Sequence, residues 1–106
     1  MNQGRPAKAD ERLLREQVAK AAVDGTLRIS LHARQRQGER SVTDLQIRSL
    51  LKLPQMRAAA RDRFDDARGA WSYGYEGPDL DGRRLRVIVA LAEGVLVVTA
   101  VVLEAS

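Results

Sequence analysis

The chain has 106 residues, of which 44% are hydrophobic and 30% charged, a length and balance typical of one small globular domain. It contains no cysteine and one histidine, which excludes a disulfide framework, a thiolate metal site and a zinc site with two imidazole ligands. Eighteen Lys and Arg against fourteen Asp and Glu give a net charge of +4, which favours a polyanionic partner only weakly. We find no secretory or membrane-spanning segment in the sequence, so we expect a cytoplasmic protein without membrane contact.

The first third of the chain predicts two helices. After a loose tail over residues 1–6, a single domain is expected over residues 7–106, beginning with a helix over residues 7–24 that Gly25 ends in a left-handed C-cap. A short extended piece over residues 26–29 follows. Ser30 is typical of the N-cap of a second helix, which we expect to be short because Gly38 interrupts it.

A third helix has the strongest local signals. Thr43 and Gln46 match a capping box, and Val42 and Ile47 match the hydrophobic staple that accompanies it. Its apolar face is predicted to contain Leu45, Leu50 and Leu51, and the helix is expected to stop at Leu53-Pro54. Residues 55–69 are ambiguous, since their beginning fits either an edge strand or a helical turn. The Asp-rich part over residues 61–68 is predicted to be a solvated loop.

After Gly69 the pattern changes to the two-residue period of strands. Three strands are predicted, around Trp71–Tyr75, over Arg84–Leu91 and over Val95–Leu103, with turns at Asp81-Gly82 and Glu93-Gly94. Helices followed by a meander predict an α+β fold, in which the N-terminal helices pack on one face of a three- to four-stranded antiparallel sheet.

The register of the last hairpin predicts which face is covered. A two-residue loop at Glu93-Gly94 pairs Ile88 with Thr99 and Arg86 with Val101. The other face then carries four apolar pairs, which are Leu85–Val102, Val87–Ala100, Val89–Val98 and Leu91–Leu96. We therefore expect the helices to cover that second face.

The preceding hairpin predicts a polar face on the opposite side. A two-residue loop at Asp81-Gly82 places Tyr75 opposite Ile88, and so brings Tyr75, Arg84, Arg86 and Thr99 together. A longer loop over residues 77–82 would shift this register by one residue. Such side chains are also common on ordinary solvent-facing strands, so alternation alone does not indicate a function.

His32 and Arg36 are four residues apart and lie on one face of a helix. On a phosphodiester, an imidazole can transfer a proton while a guanidinium stabilises the charge that develops on the phosphorane oxygens. No metal is needed when the 2′-hydroxyl of RNA is the nucleophile. The acidic residues are typical of turns and solvated loops, so we expect no metal site and no cofactor.

The pattern His-Ala-x-x-Arg-x-x-x-Arg-Ser-Val-Thr-x-x-x-Ile, from His32 to Ile47, resembles a bacterial family of small domains of unknown function. The aromatic strand, the Gly-x-Asp-x-Asp-Gly turn over residues 77–82 and the apolar strand over residues 97–101 are similar to its C-terminal half. The resemblance covers residues 28–103. The family is grouped with the RelE and ParE type toxins, whose superfamily also includes barnase-like ribonucleases.

This resemblance implies a toxin-like, metal-independent endoribonuclease that cleaves RNA by 2′-hydroxyl attack. His32 would be its general acid or base, and Arg36 and Arg86 would hold the scissile phosphate. The residues expected to contact the substrate are Arg40 at the family's second arginine position, Tyr75 stacking on a base, Arg84, and Thr99 hydrogen-bonding the phosphate. The implied partners are RNA, free or on ribosomes, and a cognate antitoxin protein.

The alternative is a non-catalytic module that binds nucleic acid or a partner protein through the same basic sheet face. Fold alone does not decide between the two, because one fold can host several unrelated functions.

Overall fold

A computed structural model describes residues 5–40, 42–52, 56–78 and 82–103. Three α-helices lie within these ranges: α1 over Glu11–Asp24, α2 over Leu31–Arg40 and α3 over Asp44–Lys52. The strands are β1 over Arg28–Ile29, β2 over Met56–Arg57, β3 over Arg63–Asp65, β4 over Ala70–Pro78, β5 over Arg84–Leu91 and β6 over Val95–Leu103. A single 3₁₀ turn over Ala59–Arg61 connects β2 to β3. The predicted α+β class is confirmed.

Side-chain and glycine caps define the limits of α1. The carboxylate of Asp10 accepts a hydrogen bond from the backbone N–H of Leu13 at 3.1 Å, so the helix begins at Glu11 rather than at residue 7. Gly25 ends it with φ of 75°, which confirms the predicted left-handed C-cap.

The α2 helix begins as predicted but is longer. The Oγ of Ser30 accepts from the backbone N–H of Ala33 at 3.0 Å, which confirms the N-cap. The expected interruption at Gly38 is wrong, because α2 continues to Arg40. A glycine within a helix lowers the stability of the helix by about 1 kcal/mol relative to alanine, and packing of the other helical residues against the core can offset that loss. Here Ala33 is 1% exposed in the core.

The capping box of α3 is confirmed in both directions. The backbone N–H of Thr43 donates to Oε1 of Gln46 at 2.7 Å, and the N–H of Gln46 donates to Oγ1 of Thr43 at 3.1 Å. Leu50 and Leu51 are buried as expected, but Leu45 is 56% exposed, so its predicted place on the apolar face is wrong. The predicted stop at residues 53–54 lies outside the described residues.

The sheet is wider than predicted and mixed. Its strand order is β1-β6-β5-β4-β2, and β3 also pairs with β4, so six strands form a sheet five strands across. The β1 strand runs parallel to β6, whereas the other pairs are antiparallel. The prediction of three to four antiparallel strands is wrong, because β1, β2 and β3 have only two or three residues and are too short to show an alternating pattern.

The helices cover one face of this sheet, called the inner face below. Its buried side chains include Leu85, Val87 and Val89 on β5, and they form one core with side chains from all three helices. Alternation along β5 places Arg84, Arg86 and Ile88 on the opposite face, called the outer face.

The β5–β6 hairpin keeps part of the predicted register. Ile88 pairs with Thr99, and Arg86 with Val101, as expected. Nearer the turn, Val89 pairs with Val97 instead of Val98, because the connection has three residues and a bulge follows Ile88. The predicted pairs Val89–Val98 and Leu91–Leu96 are therefore wrong.

The segment over residues 56–65 is folded against β4. The predicted solvated loop is wrong for Asp62, which is buried, and for residues 63–65, which form β3. Part of the predicted tail also packs here: the indole N–H of Trp71 donates to the carbonyl of Pro6 at 2.8 Å. Residues 1–4 lie outside the described part of the chain.

Candidate functional site

The register of β4 on β5 decides which predicted residues share the outer face. Pro78 pairs with Arg84, so the connection between the strands is longer than two residues and corresponds to the longer-loop alternative. Tyr75 consequently lies opposite Val87, not Ile88, and its side chain points to the inner face. The predicted position of Tyr75 on the polar face is wrong.

Tyr75 is a core residue. Its side chain is fully buried, and its hydroxyl has no hydrogen-bond partner in the described part of the chain. Burial raises the pKa of the phenol to about 12. The guanidinium of Arg57 lies 5.3 Å from the centre of its ring. A ring enclosed in this way has no surface on which a nucleic-acid base could stack.

Glu76 takes the place on the outer face that Tyr75 was expected to occupy. Its Oε2 accepts from Nε of Arg86 at 2.9 Å, and its Oε1 lies 3.6 Å from Nη2 of Arg84. The side chains of Glu76 and Arg86 are 19% and 20% exposed. An incoming anion must compete with the carboxylate of Glu76 for both arginines.

Sequence reasoning missed Glu76, although a signal for it exists. The longer-loop register places Glu76 directly opposite Arg86, and a carboxylate facing an arginine across two strands predicts an ion pair.

Thr99 belongs to the same outer-face group. It lies opposite Ile88 on β6 and is a diagonal neighbour of Arg86. The structure thus brings Arg84, Arg86 and Thr99 onto one face as predicted, with Glu76 between the two arginines.

His32 and Arg36 lie together on α2, away from that group. His32 is exposed and forms no hydrogen bond or ion pair within the described residues. Arg36 is 41% exposed and pairs with Glu39 at 3.0 Å. Since Ala33 packs into the core of the inner face, α2 and the outer-face arginines belong to different layers. Arg40 is the last residue of α2, and its side chain lies outside the described part of the structure.

A buried ion cluster is the second feature that sequence reasoning missed. The Asp62 side chain is 1% exposed and accepts from Nη2 of Arg57 at 2.7 Å, from Lys8 at 3.2 Å and from the N–H of Gly74 at 3.2 Å. Arg57 also binds Glu11 at 3.0 Å. The cluster therefore connects the start of α1 to β2, the 3₁₀ turn and β4.

The charges of this cluster stabilise one another. Burial alone would raise the pKa of Asp62, but its hydrogen bonds from Arg57, Gly74 and Lys8 more than offset burial, and the pKa is lowered. The hydrogen bonds that Arg57 donates to Asp62 and Glu11 raise the pKa of Arg57 in turn. With every one of these charged groups paired within the protein, the cluster is suited to holding the fold together rather than to chemistry.

Three helices on one face of a mixed sheet, with paired charges on the other, define a small α+β domain. Residues 29–102 match the model of a family described as a domain of unknown function, DUF4258, and since the match spans more than half of the chain, the protein belongs to this family. Searches of curated proteins and of solved structures found no match. The α1 helix precedes the matched region.

None of the helices in the described ranges combines the length and the apolar character that a membrane crossing requires.

Proposed function

We propose that this protein is a metal-independent endoribonuclease of the RelE and ParE toxin type, with a RelE- or barnase-like fold. The observation that carries the proposal is the pair on α2. The exposed imidazole of His32, which has no partner among the residues that the structure describes, lies about one helical turn from Arg36. A general acid or base must be free to reach the substrate, and His32 meets that condition.

In the proposed reaction, the 2′-oxygen of RNA attacks the adjacent phosphorus and the bond from phosphorus to the 5′-oxygen breaks. The products are a 2′,3′-cyclic phosphate and a 5′-hydroxyl. His32 either accepts the 2′-hydroxyl proton or donates a proton to the 5′-oxygen, and water carries the other transfer. Arg36 stabilises the negative charge on the phosphorane oxygens.

The outer-face cations would bind RNA beyond the reacting phosphate, since the layer of Arg86 differs from that of His32 and Arg36 and the expected role of Arg86 at the scissile phosphate does not fit this separation. Arg84 and Arg86 place two guanidinium groups beside each other on one face of a chain of net charge +4, which favours a polyanionic partner. Thr99 adds a hydroxyl to the same face. In this proposal the protein acts in the cytoplasm on RNA, free or on ribosomes, and a cognate antitoxin protein controls it.

The test is cleavage of labelled RNA, free and on ribosomes, by the purified full chain in the presence of EDTA. We expect His32→Ala and Arg36→Ala to abolish cleavage without loss of folding. Arg12→Ala is the matched control, because Arg12 is also a helical arginine in an exposed pair, with Glu16 at 3.2 Å. Wild-type protein that leaves both RNA preparations intact would remove the enzymatic proposal.

A specific observation favours a second candidate, a non-catalytic module that binds nucleic acid or a partner protein. The arginines of the outer face and the His32–Arg36 pair lie in different layers. The carboxylate of Glu76 forms an ion pair with Arg86 and lies 3.6 Å from Arg84.

Glu76→Gln should strengthen RNA binding in either case, because it removes a negative charge that is hydrogen-bonded to Arg86 and lies 3.6 Å from Arg84. Only the binding module would show salt-sensitive RNA binding with no cleavage product. Expression of the chain alone gives a further distinction, since growth inhibition that His32→Ala removes supports the nuclease.

A further inference from the structure

A cleft of about 270 Å³ lies where the end of α1, β1 and the starts of α2 and α3 meet. Its lining residues are Gly25, Leu27, Ile29, Arg34, Asp44 and Arg48. Leu27 and Ile29 are half-buried against the core, so the cleft has an apolar side and a charged side.

Each of the three helices that meet at this cleft carries an exposed aliphatic side chain. Val23, Leu31 and Leu45 are 62%, 76% and 56% exposed, and they are three of the four large hydrophobic residues that the described part of the chain leaves in solvent. Leu31 shares a face of α2 with the lining residue Arg34, and Leu45 shares a face of α3 with Arg48. Val23 adjoins Ala22, whose carbonyl accepts from Nε of Arg48 at 3.2 Å.

The cations of the cleft differ in their availability. Arg34 is paired with Asp44 at 3.0 and 3.2 Å, and this contact ties the start of α2 to the start of α3. Gln37 donates to the same carboxylate at 2.6 Å. Arg48 uses only its Nε, so within the described residues its two Nη groups have no partner. The cleft therefore offers unpaired donors beside apolar surface and carries a net positive charge.

We propose that this cleft binds an amphipathic segment of a partner protein, which places aliphatic side chains among Val23, Leu31 and Leu45 and a carboxylate on Arg48. Charge complementarity selects this occupant. A second copy packed symmetrically on the same surface would bring the arginines of two chains of net charge +4 together. Arginine is also enriched at protein–protein interfaces.

The inference is independent of the ribonuclease proposal. Ala33 faces the core, and Arg34 and Gln37 face α3, where both contact Asp44. With 3.6 residues per turn, His32 and Arg36 therefore project from the other side of α2. A segment bound in the cleft would leave His32 exposed.

The experiment is selection of peptides from a random display library on the immobilised full chain, followed by affinity measurement with the synthetic peptides. We expect the selected peptides to combine aliphatic residues with Asp or Glu. The double variant Leu31→Ser, Leu45→Ser should weaken their binding by about tenfold or more, and Arg48→Gln should do the same. Leu13→Ser is the matched control, because Leu13 is 57% exposed but lies near the opposite end of α1. The affinity of this variant for the selected peptides should equal that of the wild type.

Circular dichroism establishes that the variants fold, which the exposure of the substituted leucines predicts. The proposal is overturned if no peptide is enriched, if the selected peptides lack acidic residues, or if the double variant binds them as well as the wild type. It is also overturned if sedimentation shows a dimer that the double variant abolishes, or if RNA binding, rather than peptide binding, depends on Leu31 and Leu45. RNA cleavage by the double variant is measured in parallel and should be unchanged, so the two proposals fail separately.

Discussion

Substitution of Asp62 by asparagine should destabilise the protein far more than a carboxylate-to-amide change on the surface. Asp62 is 1% exposed and is the shared acceptor for Arg57, Lys8 and the N–H of Gly74. Breaking a buried ion pair by removing one charge costs about 3–5 kcal/mol, because the remaining charge is left without compensation. Glu11 still pairs with Arg57, so we expect a loss near the lower end, about 3 kcal/mol.

Thermal and urea unfolding followed by circular dichroism measure this loss. For a domain of this size, about 3 kcal/mol corresponds to a decrease in Tm of roughly 12 °C or more. Glu16→Gln is the control, since Glu16 is 60% exposed in its pair with Arg12, and the expected change is about 0.5 kcal/mol or less. If Asp62→Asn and Glu16→Gln have equal effects, the buried cluster does not stabilise the fold more than an exposed ion pair does.

Two further predictions concern the same region. Gly74→Ala should destabilise the protein by about 1–3 kcal/mol, because the new methyl group would lie 3.0 Å from Cβ of Arg61 and 3.1 Å from the carbonyl oxygen of Ala58. The control is Gly77→Ala, whose new methyl group would have its nearest neighbour at 3.6 Å and should change the stability by less than about 1 kcal/mol. Equal losses of unfolding free energy in urea would refute this prediction. Because the folded-state pKa of Asp62 is lowered, its contribution to stability should be complete above the unfolded value of about 3.9 and decrease as the pH falls through the folded value. Unfolding free energies measured between neutral and acidic pH should therefore show an acid-dependent loss that is smaller in Asp62→Asn, and identical profiles would contradict the assignment.

Helix ends were predictable because the interactions that form them are local. The Ser30 cap reaches Ala33 and the capping box of Thr43 reaches Gln46, each only three residues along the chain. Gly25 needs only its own left-handed φ. Such interactions depend on side chains that are neighbours in the sequence, so residue type and spacing are sufficient to identify them.

The candidate site was predictable only in part. The pair His32–Arg36 follows from helical spacing, and the common outer face of Arg86 and Thr99 follows from the hairpin register away from its bulge. The partner of Arg86 does not follow, because it depends on the length of the connection between β4 and β5. That length decided that Glu76 and not Tyr75 faces the arginines.

By itself, the sequence determined the α+β class, the helix caps and the apolar strands, since these depend on local hydrogen bonds and on the periodicity of hydrophobic residues. Only the tertiary structure decided that Tyr75 is buried, that Asp62 is held by Arg57, and that β1 joins the sheet in parallel. The physical reason is the two-residue period of a strand: a shift of one residue exchanges its two faces, and the contacts that select the register join residues far apart in the chain.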